Sequence, residues 1–515
     1  MEGASVPAES TAVRQEEASG EGLKANAIGF VDGLSIGLAS TAPAYSLAAV
    51  IGSIVVIVGI QAPASLLTAF IPMFLIAGAF FYMNRADPDA GTTFSWVTRA
   101  MGPYAGWIGG WAVCTTGILV IGSLADVGSR YFYLLVGADS AADSRIAVTA
   151  LACAVIVVMT AICIIGTELS ARLQNVLTLF QVAALLAFAA VALIKVFTDN
   201  ATDESITPSA SWFSPFAVDS FSALVSALLI GVFIYWGWES AVNLTEETTD
   251  STRSPGLAAV ASTLILLVTY VGVATAVVAY GGLNRLAEFD DDEGVFAVLG
   301  DEVLGSGWAK IVVLAIVVSA ISSTQTTIIP ASRTTFSMGR AGAFPKAFAN
   351  IHPRFRTPAF STAVVAILAM AWYVPANFIS ENFLFDTISA LSLMIAFYYA
   401  LSGLACAIFY RRELVRSVKN FFLIGVGPLI GAGILLALFG KSIADFADPE
   451  TSYTGQAWLG VGPPLVIGVG FLLLGFVLML LWRLGGHLGY FGRKGLEAVD
   501  PAVAEGRVKV TAEEI

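Results

Sequence analysis

Ile230-Gly231-Val232-Phe233-Ile234-Tyr235-Trp236-Gly237-Trp238-Glu239-Ser240-Ala241 interrupts an apolar run spanning residues 220–248, and Asn243, Glu246, Glu247 and Arg253-Ser254-Pro255 follow it. Glycine weakens a helix interior, and a carboxylate in hydrocarbon must be protonated, paired or turned toward water. A second apolar run, residues 28–58, is interrupted by Ser40-Thr41-Ala42-Pro43. Proline leaves acceptors unpaired about one turn earlier and pushes the residue before it, Ala42, toward an extended conformation. Two broken helices in corresponding positions of two halves are the sequence mark of a small-molecule site near the middle of a membrane.

The rest of the chain supports a membrane reading. It has 515 residues, 57% hydrophobic and 12% charged, with mean hydropathy +0.81, far more apolar than a soluble domain. About 12 stretches meet the roughly 20-residue length of a spanning helix. They lie near residues 28–58, 62–84, 105–137, 145–165, 170–197, 220–248, 256–282, 306–338, 357–375, 383–409, 420–442 and 460–484. These are apolar all round, which excludes the alternating pattern of a barrel. The fold class is therefore an all-α integral membrane protein. Cys114, Cys153, Cys163 and Cys406 lie within spans, without metal-ligand spacing, and read as packing residues. Residues 1–27 read as a disordered cytoplasmic N-terminus without the pattern of a cleaved signal peptide, so the first span itself is expected to direct insertion.

Charge assigns the sides. Arg340, Lys346, Arg354 and Arg356 stand in loop 339–356 without an acid, and Arg411, Arg412, Arg416 and Lys419 oppose one Glu413 in loop 409–420, so both loops are expected inside. Glu288, Asp290, Asp291, Asp292, Glu293, Asp301 and Glu302 crowd residues 283–305 against Arg285 alone. The loop at 198–219 holds Asp199, Asp203, Glu204 and Asp219, and both acidic segments are expected outside. The parity of 12 spans places both termini in the cytoplasm, in agreement with Arg483, Arg493 and Lys494 after the last span, 485–515 being a cytoplasmic tail.

Each break has two readings. At the first, a half-helix starting near Pro43 would aim its positive end at an anion such as a substrate carboxylate, or Pro43 marks an ordinary kink satisfied by neighbouring helices. At the second, Phe233, Tyr235, Trp236 and Trp238 would close over a substrate or attract an ammonium, with Glu239 serving proton coupling, or the segment is an aromatic core stripe and Glu239 bonds to a neighbouring helix.

Gly237-Trp238-Glu239, Glu246-Glu247-Thr248 and Pro255 resemble a pattern of the amino acid–polyamine–organocation (APC) superfamily of permeases. Pro88-Asp89-Ala90-Gly91-Thr92-Thr93-Phe94, Gly102, Gly109-Gly110-Trp111, Ser332-Arg333, Gly339-Arg340, Pro345 and Thr357-Pro358 are similar to further family motifs, in the family's order across nearly the whole membrane portion. The resemblance implies a 5+5 inverted-repeat, LeuT-like core of residues 28–197 and 220–409 with broken helices one and six, and two extra helices in 410–484, working by alternating access. It also implies that the backbone at Ser40, Thr41 and Ala42 holds a carboxylate and that carbonyls around Phe233, Ile234 and Trp236, beside Gly237, hold an amine. Phe233 matches an aromatic gate, and Glu239 matches an acid implicated in proton linkage. Two departures stand out. Ser40-Thr41-Ala42-Pro43-Ala44 replaces the family's Gly-Ser-Gly-Ile-Phe, and Gln181, which cannot titrate, stands where some proton-coupled members carry a lysine. Ser322 and Ser323 offer hydroxyls for a Na⁺ site or pack the eighth span.

Outside the breaks, Asp126 and Arg130 read as a structural ion pair in the third span, and Glu168 and Arg172 as a solvated or gating pair. His352 and His487 lie outside the spans, and the glycines at 425, 427, 431 and 433 read as helix packing. The function expected is secondary transport of an amino acid or related amine, coupled to H⁺ through Glu239, with antiport of a polyamine or of substrate against product as the alternative and Na⁺ symport after it. A membrane enzyme would need a nucleophile and base, a channel a filter repeat, and a nucleotide-driven pump a Walker loop, and none of these is present. No catalytic residue, cofactor, metal or nucleic acid is expected. The partners are a small molecule, a coupling ion and the bilayer, with the oligomeric state unspecified.

Overall fold

The computed structural model describes residues 22–289, 294–379 and 383–492, so residues 1–21 of the tail, Asp290 to Glu293 of the acidic segment, and Arg493 and Lys494 lie outside the described residues. No strand forms among the described residues; isolated bridges, one of them Ile28 with Thr248, are the only sheet-like pairing. The helices are α1 (Phe30–Ser40), α2 (Pro43–Val58), α3 (Ala62–Ala86), α4 (Thr93–Met101), α5 (Pro103–Leu135), α6 (Arg145–Ile165), α7 (Thr167–Phe197) and α8 (Phe221–Ile234). After a 3₁₀ segment, Trp238–Glu247, come α9 (Ser254–Gly281), α10 (Val295–Leu304), α11 (Ser306–Arg340), α12 (Ala359–Ile379), α13 (Phe383–Phe409), α14 (Gly427–Asp445) and α15 (Pro463–Leu484).

Helix starts follow local chemistry. Ser144 and Ser220 accept from the N–H groups of Ala147 and Ala223 as N-caps, while Pro43, Pro103 and Pro463 occupy first positions where no donor is needed. Eleven described stretches are long and apolar enough to cross a membrane. The first, Phe30–Ala86, has 57 residues, about 85 Å of helix against a hydrocarbon core of about 30 Å. It turns back at Gly59–Gln61 and so supplies two crossings, which restores the expected 12.

Helices from the two halves pack on their counterparts: α3 on α9, α5 on α11, α6 on α12, and α2 on α8 beside the contact of α1 with the 3₁₀ segment. These pairings put both breaks at the centre. Exposed Ile146, Val176, Leu179, Val268 and Leu481 give the outer surface the apolar character a lipid contact requires. All four cysteines are free, three of them buried.

Two ion pairs expected from spacing are not made. Asp126 accepts from the Tyr373 hydroxyl and from Asn377 Nδ2 (3.2 Å), while Arg130 points out of the bundle. A bundle neighbour on α12 thus outcompetes the same-face arginine. Glu168 pairs with Lys24 (2.7 Å) instead of Arg172, both partners being exposed.

Candidate functional site

The first break is a turn with its polar groups reassigned. Ala42, between α1 and α2, is left-handed (φ 46°, ψ 59°) and not extended as expected before proline. The turn is compensated locally: the Ala42 N–H reaches Ala39 O (3.0 Å), and Ala42 O accepts from the Ser46 N–H (2.7 Å). Because Pro43 brings no donor, hydroxyls take over the freed carbonyls. Thr41 Oγ1 donates to Leu38 O (2.7 Å), Ser46 Oγ to Thr41 O (2.7 Å) and Ser323 Oγ, from α11, to Ser40 O (2.9 Å).

At the second break α8 closes with Tyr235 N–H on Gly231 O and Trp236 N–H on Phe233 O, and the chain turns through Gly237 at φ +121°. Only glycine fits there, because a Cβ would stand 2.6 Å from Ser40 O. The two breaks therefore touch backbone to backbone. The Ser240 hydroxyl, donating to Ser40 Oγ (2.7 Å), and the Tyr270 hydroxyl, donating to Ile234 O (2.7 Å) and Thr41 O (3.3 Å), join them further.

Between them lies a tight cavity of about 10 Å³, room for about one water, lined by Ser40, Thr41, Ala42, Tyr45, Ser46, Val120, Leu124, Phe233, Trp236 and Ser323. Of the residues expected to bind substrate, Ser40, Thr41, Ala42, Phe233 and Trp236 line it, while Ile234 and Gly237 stand behind its wall. Glu239 is also behind the wall and 2% exposed. Its Oε1 accepts from Tyr398 OH (2.6 Å), and its Oε2 accepts from Tyr399 OH and from the Gly237 N–H (3.1 Å). Trp236, on the cavity wall, donates its indole N–H to Tyr398 OH, so a chain of hydrogen bonds runs from cavity to carboxylate. Ser322 donates to Ser319 O (3.1 Å) and does not line the cavity. Gln181, on α7, is fully buried, and neither its Oε1 nor its Nε2 has a partner.

Sequence reading missed Tyr398 and Tyr399. Their signal was two adjacent phenols in the middle of an apolar span, where buried hydroxyls need acceptors. Tyr45, Ser46, Val120 and Leu124 carried no such signal. Tyr45 and Ser46 follow the first break directly, whereas Val120 and Leu124, on α5, meet the breaks only through helix packing.

A second polar region gathers the motif residues. Arg333, 1% exposed, points Nε and Nη2 at Glu247 Oε1 (3.0 Å each), and Thr167 donates to the same carboxylate. Arg340 forks onto Glu246 (2.9 and 2.7 Å) and reaches Asp89 Oδ2 (3.3 Å). Asp89 Oδ1 in turn accepts from the Gly91 N–H (2.8 Å), Ser95 (2.7 Å) and Ser337 (3.2 Å). Arg99, on α4, pairs with Asp87, and burial, then the nearby Arg340 charge, lowers its pKa to about 10. The lattice also ties down the chain entering α1, through Ala27 N–H on Glu247 O (2.8 Å).

A profile of the family described as amino acid permease matches residues 36–482. The methylthioribose transporter of Bacillus subtilis is 25% identical over 427 residues, covering 78% of this chain and 87% of that protein. The branched-chain amino acid permease BcaP of the same organism is 22% identical, over 68% of this chain and 74% of its own. The low-affinity putrescine importer PlaP of Escherichia coli is 21% identical, over 78% and 84%.

Proposed function

The chain belongs to the amino acid permease family, and on that premise we propose that it is a secondary active transporter working by alternating access. It carries a small polar organic solute of the kind its relatives are named for: an amino acid, an amine or methylthioribose. The basic loops around Arg340 and Arg411 support a cell-membrane orientation with both termini in the cytoplasm.

The observation that carries the proposal is the link between cavity and carboxylate. All of Glu239's recorded partners donate to it, and one of them, Tyr398, is held by Trp236 of the cavity wall. A proton arriving on Glu239 turns one acceptor oxygen into a donor, so a phenol must turn away, and the Trp236 contact moves with Tyr398. Solute occupancy and protonation are thereby coupled through one tyrosine, and H⁺ is the driving ion this favours.

The test is reconstitution into proteoliposomes with labelled solutes and imposed H⁺ or Na⁺ gradients. Glu239→Gln loses H⁺-driven accumulation and keeps exchange. Unchanged accumulation in that variant would remove Glu239 from the mechanism. Accumulation driven by Na⁺ instead would return the coupling site to Ser322 and Ser323.

A further inference from the structure

The connection between α13 and α14 puts charge and hydrocarbon on one small surface. Arg411, Arg412, Arg416 and Lys419 are all exposed there, against the single acid Glu413, which is buried. Among these cations stand Val415 and Val418, 87% and 76% exposed, and Phe421 and Phe422 follow, also exposed. Bulky apolar side chains held out in a cluster mark a contact with something apolar. α13 ends at Phe409 and the next apolar stretch opens at Val418, so the loop lies where hydrocarbon gives way to headgroups.

Side-chain bonds hold the loop in this form. Ser417 Oγ accepts from the Asn420 N–H (3.0 Å), Asn420 Nδ2 donates to Glu413 O (3.4 Å), and Arg416 pairs with Glu413 (2.7 Å). Arg411 donates to Ile408 O at the end of α13 (3.1 Å). Arg412 and Lys419 have no hydrogen bond or ion pair among the described residues. Arg333, Arg340 and Arg356, by contrast, are taken up by Glu247, by Glu246 with Asp89, and by Gly22 O (3.0 Å).

Unpaired cations beside exposed hydrocarbon are matched by an anion that itself sits at the membrane boundary. The phosphate of a phospholipid does so, and its chains cover the valines, whereas a soluble anion leaves them in water. A zwitterionic headgroup brings a positive charge back to the same spot, and an anionic one does not. Several Lys and Arg directly beside a spanning helix are the pattern of contact with anionic lipid.

We propose that residues 411–422 form a binding surface for anionic phospholipid, with Arg412 and Lys419 on the headgroup phosphate and Val415 and Val418 among the acyl chains. The bound lipid steadies the connection between α13 and α14. This inference stands apart from the solute and coupling readings and needs only that the spans cross a bilayer.

The full chain in neutral detergent is titrated with phosphatidylglycerol or phosphatidylcholine, with retained lipid counted by native mass spectrometry and the unfolding temperature followed. Phosphatidylglycerol should bind more tightly, raise the unfolding temperature, and hold an advantage that shrinks as salt is added. Arg412→Gln with Lys419→Gln should weaken phosphatidylglycerol binding about thirty-fold and leave phosphatidylcholine binding unchanged. Val415→Ser with Val418→Ser should weaken both lipids. Lys346→Gln with Arg354→Gln removes two exposed cations from the other basic loop, whose Phe348 and Phe355 are partly buried, and should change neither. Glycerol phosphate, the headgroup anion without chains, should not compete. Lipid-free unfolding transitions equal to the parent's show that each variant is folded. Equal binding of the two lipids, an equal loss from the Lys346 and Arg354 variant, or competition by glycerol phosphate overturns the inference. The first would make the surface plain hydrocarbon contact, the second a general charge effect, and the third a site for a soluble anion.

Discussion

The central cavity and the lattice that runs from buried Arg333 to exposed Arg340 are both polar regions of an apolar bundle, yet they are built oppositely. The cavity wall has hydroxyls and rings without a charge, its nearest carboxylate wrapped by two phenols and an N–H. The lattice sets guanidinium against carboxylate, with forked contacts from Arg333 and Arg340. Weak, redirectable hydrogen bonds suit a place that a solute must enter and leave. The buried Arg333–Glu247 pair is costly to separate and so suits a place that must hold two helical segments in one register until something moves them together, whereas Arg340, with its contacts to Glu246 and Asp89, stands at the exposed edge of the lattice.

The largest effect tests whether the lattice is held by its charges. Arg333→Met leaves Glu247 buried without its cation and should cost about 3–5 kcal/mol, read as a lower unfolding temperature in detergent. Adding Glu247→Leu should recover most of that loss, and a single variant as stable as the parent would end the comparison. Gly237→Ala should cost about 1–3 kcal/mol for the strained backbone. It should also separate the two breaks and depress transport more than stability; normal transport would mean that their close approach is not needed. Phe233→Ala should weaken solute retention about ten-fold, roughly 1.4 kcal/mol, with the unfolding temperature little changed. An unaltered transport constant would exclude Phe233 as a gate.

The smallest effect comes from a pair outside both regions. Arg285 and Glu302 form an exposed ion pair between Leu283–Ala287 and α10, and hydrogen bonding to Arg285 holds the Glu302 carboxyl below its ordinary value of 4.5. A depressed carboxyl contributes stability above its unfolded pKa and loses it as pH falls through the folded one. Glu302→Gln should therefore change stability by only a few tenths of a kcal/mol at neutral pH and by nothing in acid below both values. A larger loss would show that exposed pairs matter here as much as the buried lattice.

The spans, their number and both interruptions were legible because each is a local property: a spanning helix needs a run of apolar residues, and Pro43 or Gly237 disturbs it wherever the chain folds. Glu239 was legible as an acid out of place, but its partners were not. Tyr398 and Tyr399 lie some 160 positions away along the chain, and the partners in the Glu247–Thr167 and Arg340–Glu246 contacts are 80 and 94 positions apart. The spacing of Asp126 and Arg130 misled for the same reason, since Tyr373 on α12 reached the carboxylate first.

By itself, then, the sequence determined an all-helical membrane transporter with two breaks and an acid at the second. The tertiary structure decided that Ala42 turns left-handed, that the hydroxyls at the first break spend their protons on freed carbonyls, and that Glu239 meets the cavity only through Tyr398 and Trp236. Hydrophobic periodicity is written along the chain, whereas the direction of a buried hydrogen bond depends on which acceptor from a distant helix arrives beside it.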